Sequence, residues 1–372
     1  MRPKILLFFE YGTLNGGEFS LLAVLERLGK TEFEFVAAAP PSGLLAERLS
    51  RCGVQVLPLV LRDSHNQKRP MDQINAHLVA LIAQVSPDLV HSNSLAMGRM
   101  VGCITPQISV PCTTHLRDII KLNKTAITDL NQNTGLVAVS HATKSFHVDQ
   151  GMASDRVQTI HNGVDTDLFC PTAPTGQLRQ ALGLSDNAIL LANIGQICLR
   201  KGQTLLAQAA VSLADRFPET YYLFIGERHS QKQESIEYEH SIHRIFRDAG
   251  KIDHLFCLGF RQDIPHILNE IDLLVHTAHQ EPLGRVLLEA AACAQAIVAT
   301  DVGGTSEILT NQISALLVPP DNLEALTDAI EHMLTHDDVR TRLGQEARSQ
   351  AVTKFALSTA TEKTRQFWNT LL

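Results

Sequence analysis

Several common signatures are missing from this 372-residue chain. It has no C-x-x-C pair and no H-E-x-x-H, and its 16 histidines form no Cys/His cluster with metal-ligand spacing, so metal binding has little support. Without a G-x-S-x-G elbow, a serine triad cannot be argued. The seven cysteines, at 52, 103, 112, 170, 198, 257 and 293, are odd in number and scattered. They read as core thiols of a reducing compartment rather than a disulfide framework. No window reaches the roughly 18 apolar residues of a membrane span. The run Ile5–Phe9, closed by Glu10, is too short for a secretory signal. The expected location is therefore cytoplasmic. No short-period repeat and no low-complexity segment is found.

What is present is ordinary globular composition: 44% hydrophobic, 19% charged, 22 Gly and 15 Pro. That excludes a disordered chain, a collagen-like repeat and a small disulfide scaffold. The formal charge of −7 argues against nucleic acid as the main partner. A single core rarely grows past roughly 250–300 residues, so two cores are expected. Short apolar runs alternate with helical spacings: Ile5–Phe9, Phe33–Ala39, Val54–Leu59, Leu89–His91 and Leu136–Val139. The alternation restarts with Ala188–Ile194, Tyr221–Ile225, Leu255–Cys257, Leu273–Val275, Ile297–Thr300 and Ala315–Val318. Such runs predict parallel sheets covered by helices on both faces. The most linker-like stretch, Cys170–Gly176, lies between the two series. Ligands of open parallel sheets bind beyond the carboxyl ends of the strands, so functional residues are expected in loops just after strands.

Four such loops stand out. The first, Tyr11–Gly17, carries Gly16 and Gly17 ahead of a helix, where a backbone can approach an anion closely. It does not fit G-x-G-x-x-G, so the dinucleotide fingerprint fails. The second, Gly195–Gly202, puts Arg200 and Lys201 before a helix opening near Gln203. Cations there are unfavourable unless an anion joins them, and a phosphate would satisfy both groups; a solvated basic turn is the plainer alternative. The third, His279 to Ala290, carries Glu281 and Glu289, with Pro282 suited to a helix start and Glu281 placed at the helix N-terminus. Glu289 would lie two turns inside an apolar helix, where a carboxylate is seldom buried without a partner. An i, i+4 pair with Arg285, hydroxyl recognition on a sugar, and a hydrolase acid/base pair all fit that spacing. The fourth, Asp301–Glu307, contains Gly303-Gly304. His115 follows the short run ending at Val110, and Phe260-Arg261 forms a turn that could contact a base. The basic segments Arg62 to Arg69 and Arg117 to Lys124 are candidates for contact with acidic lipid, with solvated loops as the plainer reading.

Taken in order, these features resemble the retaining glycosyltransferases of family 4, which have the GT-B fold. The resemblance rests on Gly16-Gly17, His115, His161–Asp165 with Phe169, Lys201-Gly202, Glu281 and Glu289 with seven residues between, and Gly303-Gly304 with Glu307. It implies an α/β chain of two Rossmann-like, doubly wound domains facing across a cleft. Residues 1–165 with 355–372 would form an acceptor domain that receives the last helix, and residues 166–354 a nucleotide-sugar donor domain. It further implies a metal-independent hexosyltransferase with no cofactor. Its partners would be a nucleoside diphosphate sugar, with UDP ahead of GDP on family frequency, and an acceptor hydroxyl on a sugar, lipid-linked glycan or small molecule. By resemblance Lys201, with Arg200 beside it, faces the donor diphosphate; Glu281, Leu283 and Gly284 face the transferred sugar and phosphate. Glu289 would bind the ribose, Phe260 and Arg261 would line the base, His115 would approach the transferred sugar, and Gly16-Gly17 would cover the phosphates. Two departures are visible. Gln196 stands where the family often has an arginine, and Glu281–Gly284 lacks the usual glycine-aromatic pair. A sugar-nucleotide epimerase of related fold and a non-enzymatic sugar- or nucleotide-binding protein are the alternatives.

Overall fold

The computed structural model describes residues 2–29, 32–63, 65 and 67–372. Ser64 and Asn66, inside the first basic segment, lie outside the described residues. Two compact units divide the chain: Met1–Gly163 with Leu357–Leu372, and Val164–Ala356.

The first unit holds a seven-stranded sheet of β1 (Lys4–Phe8), β2 (Glu34–Ala39), β3 (Gln55–Pro58), β4 (Leu89–Ser92), β5 (Cys112–Leu116), β6 (Gly135–Ala138) and β7 (Val157–Thr159). All neighbours pair parallel, in the order β3-β2-β1-β4-β5-β6-β7. Successive side chains of β1 enter different cores. Ile5 and Leu7 join the Leu21, Leu25 and Trp368 cluster, while Leu6 and Phe8 join the Leu78, Met97 and Val101 cluster. Burial on both faces explains why this strand reads as a continuous apolar run. Each fully buried side chain contributes roughly 1.5–3 kcal/mol. The last helix, Leu357–Asn369, packs into this unit: Trp368 is 0% exposed and sits edge-on to Phe33 with ring centroids 5.8 Å apart.

The second unit holds β8 (Ile189–Ile194), β9 (Thr220–Ile225), β10 (Leu255–Gly259), β11 (Leu273–His276), β12 (Ile297–Thr300) and β13 (Leu316–Val318). They pair parallel in the order β10-β9-β8-β11-β12-β13. Both sheets follow the doubly wound pattern in which strand order reverses at one point, between β1 and β4 and between β8 and β11.

Three local expectations change. His115 does not follow a strand ending at Val110; it lies within β5, which starts after Pro111. The strand Cys112-Thr113-Thr114-His115-Leu116 is fully buried yet mostly polar, so apolar patterning could not reveal it. Cys170–Gly176 is not a loose connector. Thr172 N–H donates to Asn269 Oδ1 at 2.8 Å, and Thr175 and Gly176 N–H donate to the Glu270 carboxylate, fastening the stretch to the second unit. The helix beyond β11 starts at Arg285, not at Pro282, because Gly284 (φ +102°) breaks the chain direction just before it.

Candidate active site

In a parallel sheet every post-strand loop emerges at the same edge, and the point of strand-order reversal leaves the most room there. The second unit places its charged residues at that point. After β8, the single turn Leu199–Lys201 carries Lys201, and Gly202 (φ +61°) leads into the helix Gln203–Leu213. A Cβ on Gly202 would stand 2.1 Å from the Thr277 carbonyl oxygen, so only glycine lets this turn press against the loop after β11. Further bonds pin the two loops together: His279 N–H to Arg200 O at 2.9 Å, Arg200 Nη1 to Gln280 O at 3.1 Å, and Thr277 Oγ1 to Lys201 O at 3.2 Å. Arg200 is thereby a tie between loops.

Lys201 Nζ forms an ion pair with Glu281 Oε2, and both side chains are largely buried. The same oxygen accepts from His276 Nε2 at 2.9 Å. A carboxylate can only accept, so His276 carries its proton on Nε2. Burial, helped by the Lys201 charge, pulls the His276 pKa below its usual value and keeps the ring neutral. Burial pushes the Glu281 carboxyl up, but the Lys201 charge and the His276 hydrogen bond outweigh it and hold the group well below the usual carboxylate range. Glu281 is therefore an ionised carboxylate whose Oε2 is taken twice, while Oε1 makes no hydrogen bond or ion pair among the described residues. It is not a helix-N-terminal charge, since the helix Arg285–Ala292 begins four residues later.

Leu283 is buried and Gly284 caps that helix. The double-glycine loop after β12 closes on this segment: Gly304 N–H donates to Glu281 O at 2.9 Å, and a Cβ on Gly304 would meet Pro282 O at 2.6 Å. Glu289 is buried and makes the i, i+4 pair, with Arg285 Nε 2.7 Å from its Oε1. Burial raises its pKa against the opposing Arg285 charge. Phe260 and Arg261 follow β10 at the sheet's outer edge, two strands from the Lys201 loop. Phe260 is 47% exposed, and Arg261 Nε reaches Asp263 at 2.8 Å.

The first unit carries its own polar cluster at the corresponding reversal. Gly16 and Gly17 open the helix Gly16–Leu28, and Ser20 Oγ donates to Gly16 O at 2.7 Å. A Cβ on Gly17 would lie 2.7 Å from Arg117 Cδ, so this glycine makes room for an arginine. Arg117 Nε donates to Asn93 Oδ1 at 3.1 Å, Nη2 to the same oxygen at 2.9 Å, and Nη1 to Asn162 Oδ1 at 3.1 Å. Its guanidinium is held by these bonds, whereas Lys121 and Lys124 of the same basic segment are exposed. His115 Nδ1 lies 3.2 Å from Arg117 Nη2 and 2.9 Å from His91 Nε2. His276, His91, Asn93 and Arg117 were not singled out as site residues from the sequence. A polar residue closing an apolar strand run, as His91 and His276 both do, was the available signal.

The family model described as Glycosyltransferase Family 4 matches residues 14–168, and that described as Glycosyl transferases group 1 matches residues 175–350. The UDP-Gal:alpha-D-GlcNAc-diphosphoundecaprenol alpha-1,3-galactosyltransferase of Escherichia coli is 22% identical over 373 residues, covering 95% of this chain and 94% of that protein. The D-inositol 3-phosphate glycosyltransferase of Saccharomonospora viridis is 30% identical over 202 residues, 54% of this chain and 47% of that one. The chain thus spans about half the length of the curated relatives it matches at 30% identity. The crystal structure of Anabaena HepE in complex with UDP-glucose superposes with a TM-score of 0.88 at 22% identity over the whole of both chains, which shows the fold. No helix among the described residues is long and apolar enough to cross a membrane.

Proposed function

The chain is a glycosyltransferase family 4-like protein of GT-B fold, and on that premise we propose that it transfers a hexose from a nucleoside diphosphate sugar to an acceptor hydroxyl in glycan biosynthesis, with retention and without a metal ion. The observation that carries this reading is the buried Lys201–Glu281–His276 cluster at the strand reversal of the second unit. A departing diphosphate needs its developing charge stabilised, and an ammonium beside a helix start supplies that without a metal. In this reading Lys201 turns from Glu281 to the diphosphate. Glu281, ionised and with Oε1 open, accepts from hydroxyls of the transferred sugar. Glu289 exchanges its Arg285 contact for ribose hydroxyls, the N–H groups of Leu283 and Gly284 face the phosphate or sugar, and Phe260 with Arg261 lines the base. Gly16, Gly17 and His115 would serve the donor from the first unit.

The bond from the anomeric carbon to the diphosphate oxygen breaks and a bond to the acceptor oxygen forms on the same face. The acceptor proton passes to the departing diphosphate oxygen, so no side-chain base is needed. UDP is the preferred nucleotide in this reading, supported by a galactosyltransferase relative named for UDP-Gal and a structural neighbour named with UDP-glucose. Thermal-shift titration with UDP-, GDP- and ADP-glucose, in chelator, tests the donor: stabilisation by UDP-glucose alone is expected. Stabilisation by GDP- or ADP-glucose instead would overturn the nucleotide, and activity that chelator abolishes would overturn metal independence. Incubating one donor without acceptor separates transfer from epimerisation, since only an epimerase returns an altered nucleotide-sugar.

A further inference from the structure

The polar cluster of the first unit contains a fixed proton order. Arg117 has five N–H donors and no acceptor, so it can only donate. Its Nη2 carries two hydrogens; one goes to Asn93 Oδ1 at 2.9 Å and the other points at His115 Nδ1 at 3.2 Å. The Asn93 amide orientation is set independently, because its Nδ2 donates to the buried Glu18 carboxylate at 3.3 Å, which leaves Oδ1 for the guanidinium. His115 Nδ1 must therefore present a lone pair. His91 Nε2, 2.9 Å from the same nitrogen, must then be an N–H, so His91 Nδ1 is a lone pair in turn. That lone pair lies 2.8 Å from Thr113 Oγ1, so the hydroxyl must give its single proton to it and not to Val90 O, 3.0 Å away. The order runs Thr113 to His91 to His115, with Arg117 joining at the end.

We propose that Arg117 and His91 are positioning residues that lock His115 as the Nε2–H tautomer, so that His115 offers a hydrogen-bond donor, and not a base, to an oxygen of the bound sugar nucleotide. The part concerning the ligand rests on the donor reading given above; the tautomer does not. Nε2 of His115 has no partner among the described residues, and the side chain is 5% exposed. A second proton on His115 would sit on Nδ1, facing the guanidinium and the His91 N–H, which both oppose it. The charged and titratable groups facing the ring are His91 on β4 and Arg117 beyond β5, with Glu18 and Asp118 behind Arg117. Burial first, and the Arg117 charge second, pull the His91 pKa down to about 3 and hold that of His115 well below its usual value. Gly17 belongs to the same device, since its missing Cβ admits the Arg117 stem.

The full chain labelled with 15N-histidine tests this without substrate. His115 and His91 signals are assigned by loss in His115→Gln and His91→Gln. Both rings should show Nε2 protonated and Nδ1 bare, unchanged from pH 5.5 to 8.5. A His115 ring protonated on Nδ1, or one that titrates in that range, overturns the lock. His91→Gln keeps a donor toward Nδ1 and should retain the tautomer and transfer from UDP-glucose within about threefold. His91→Met removes it and should mix the tautomers and lower kcat roughly tenfold or more with KM within about twofold. Equal tautomer order and equal kcat in His91→Gln and His91→Met would also overturn it. If His91→Met fails to fold, the wild-type spectrum still decides. Failure of UDP-glucose to bind the wild-type chain would strike the donor reading and leave the tautomer standing.

Discussion

The two units solve the same topological problem with different chemistry. In both, polar residues gather where the strand order of a parallel sheet reverses. In the second unit the gathering is an opposed pair of full charges, Lys201 and Glu281, with a neutral imidazole as third member. In the first, the only cation among the grouped side chains, Arg117, is separated from Glu18 by Asn93, and two neutral imidazoles complete the row. An ion pair can exchange partners: each member can take an opposite or polar group from a ligand and lose little. A row of fixed hydrogen bonds does the reverse and holds one donor direction. The first arrangement suits a place where charge arrives and leaves, the second a place where a neutral contact must not move.

The largest expected effect separates these roles. Lys201→Met should lower transfer by about 100-fold to 1,000-fold, the loss seen when one preorganised stabiliser of developing charge is removed. It also leaves Glu281 buried without its cation, which costs about 3–5 kcal/mol. Adding Glu281→Gln should return most of that stability in urea unfolding while activity stays low. If the double variant is no more stable than the single one, the pair is not coupled as described.

Next in size is Gly202→Ala. A positive φ of 61° and a Cβ 2.1 Å from a backbone oxygen should cost about 2 kcal/mol or more, read as a lower midpoint in the same unfolding assay. Gly17→Ala offers the instructive contrast. Alanine is favoured over glycine in a helix by about 1 kcal/mol, which offsets part of the cost of pushing the Arg117 stem off its partners. Stability should fall less than in Gly202→Ala, while transfer falls roughly tenfold as Arg117 shifts off His115. Loss of stability with activity intact would assign Gly17 to folding alone.

A graded effect, small near neutrality, appears in acid. His91 has a folded pKa of about 3 against an ordinary 6.5, so the unfolded chain binds the extra proton between those values. Stability should therefore be level above pH 6.5 and fall as pH drops toward 3, by up to about 1.4 kcal/mol per pH unit from this group. His91→Gln should flatten that slope. The smallest effect is Phe260→Ala: on an exposed ring it should change stability by less than about 0.5 kcal/mol, and only the affinity for the nucleotide base should move, as calorimetry would show.

Much of this was legible in the sequence, and the gaps have physical causes. Ile5–Phe9 and Leu273–Val275 could be read as strands because both faces of each are apolar. Lys201, Glu281 and Glu289 were visible as charges in otherwise apolar or glycine-rich surroundings. β5 was not, because Thr113, Thr114 and His115 are buried through hydrogen bonds that alternation cannot express. Arg117 was read as surface, since a guanidinium followed by Asp118, Ile119, Ile120 and Lys121 gives no hint that Asn93 and Asn162 wait for it. The helix was started too early, at Pro282 instead of Arg285, because Pro282 outweighed Gly284, whose positive φ decides where the helix starts.

On the proposed function the buried Lys201–Glu281 pair receives a nucleoside diphosphate sugar, and calorimetric titration of UDP-glucose into the wild-type chain and into Lys201→Met isolates that step. Saturable binding to the wild type and at least tenfold weaker binding to the variant are expected; equal affinity for both would overturn the assignment.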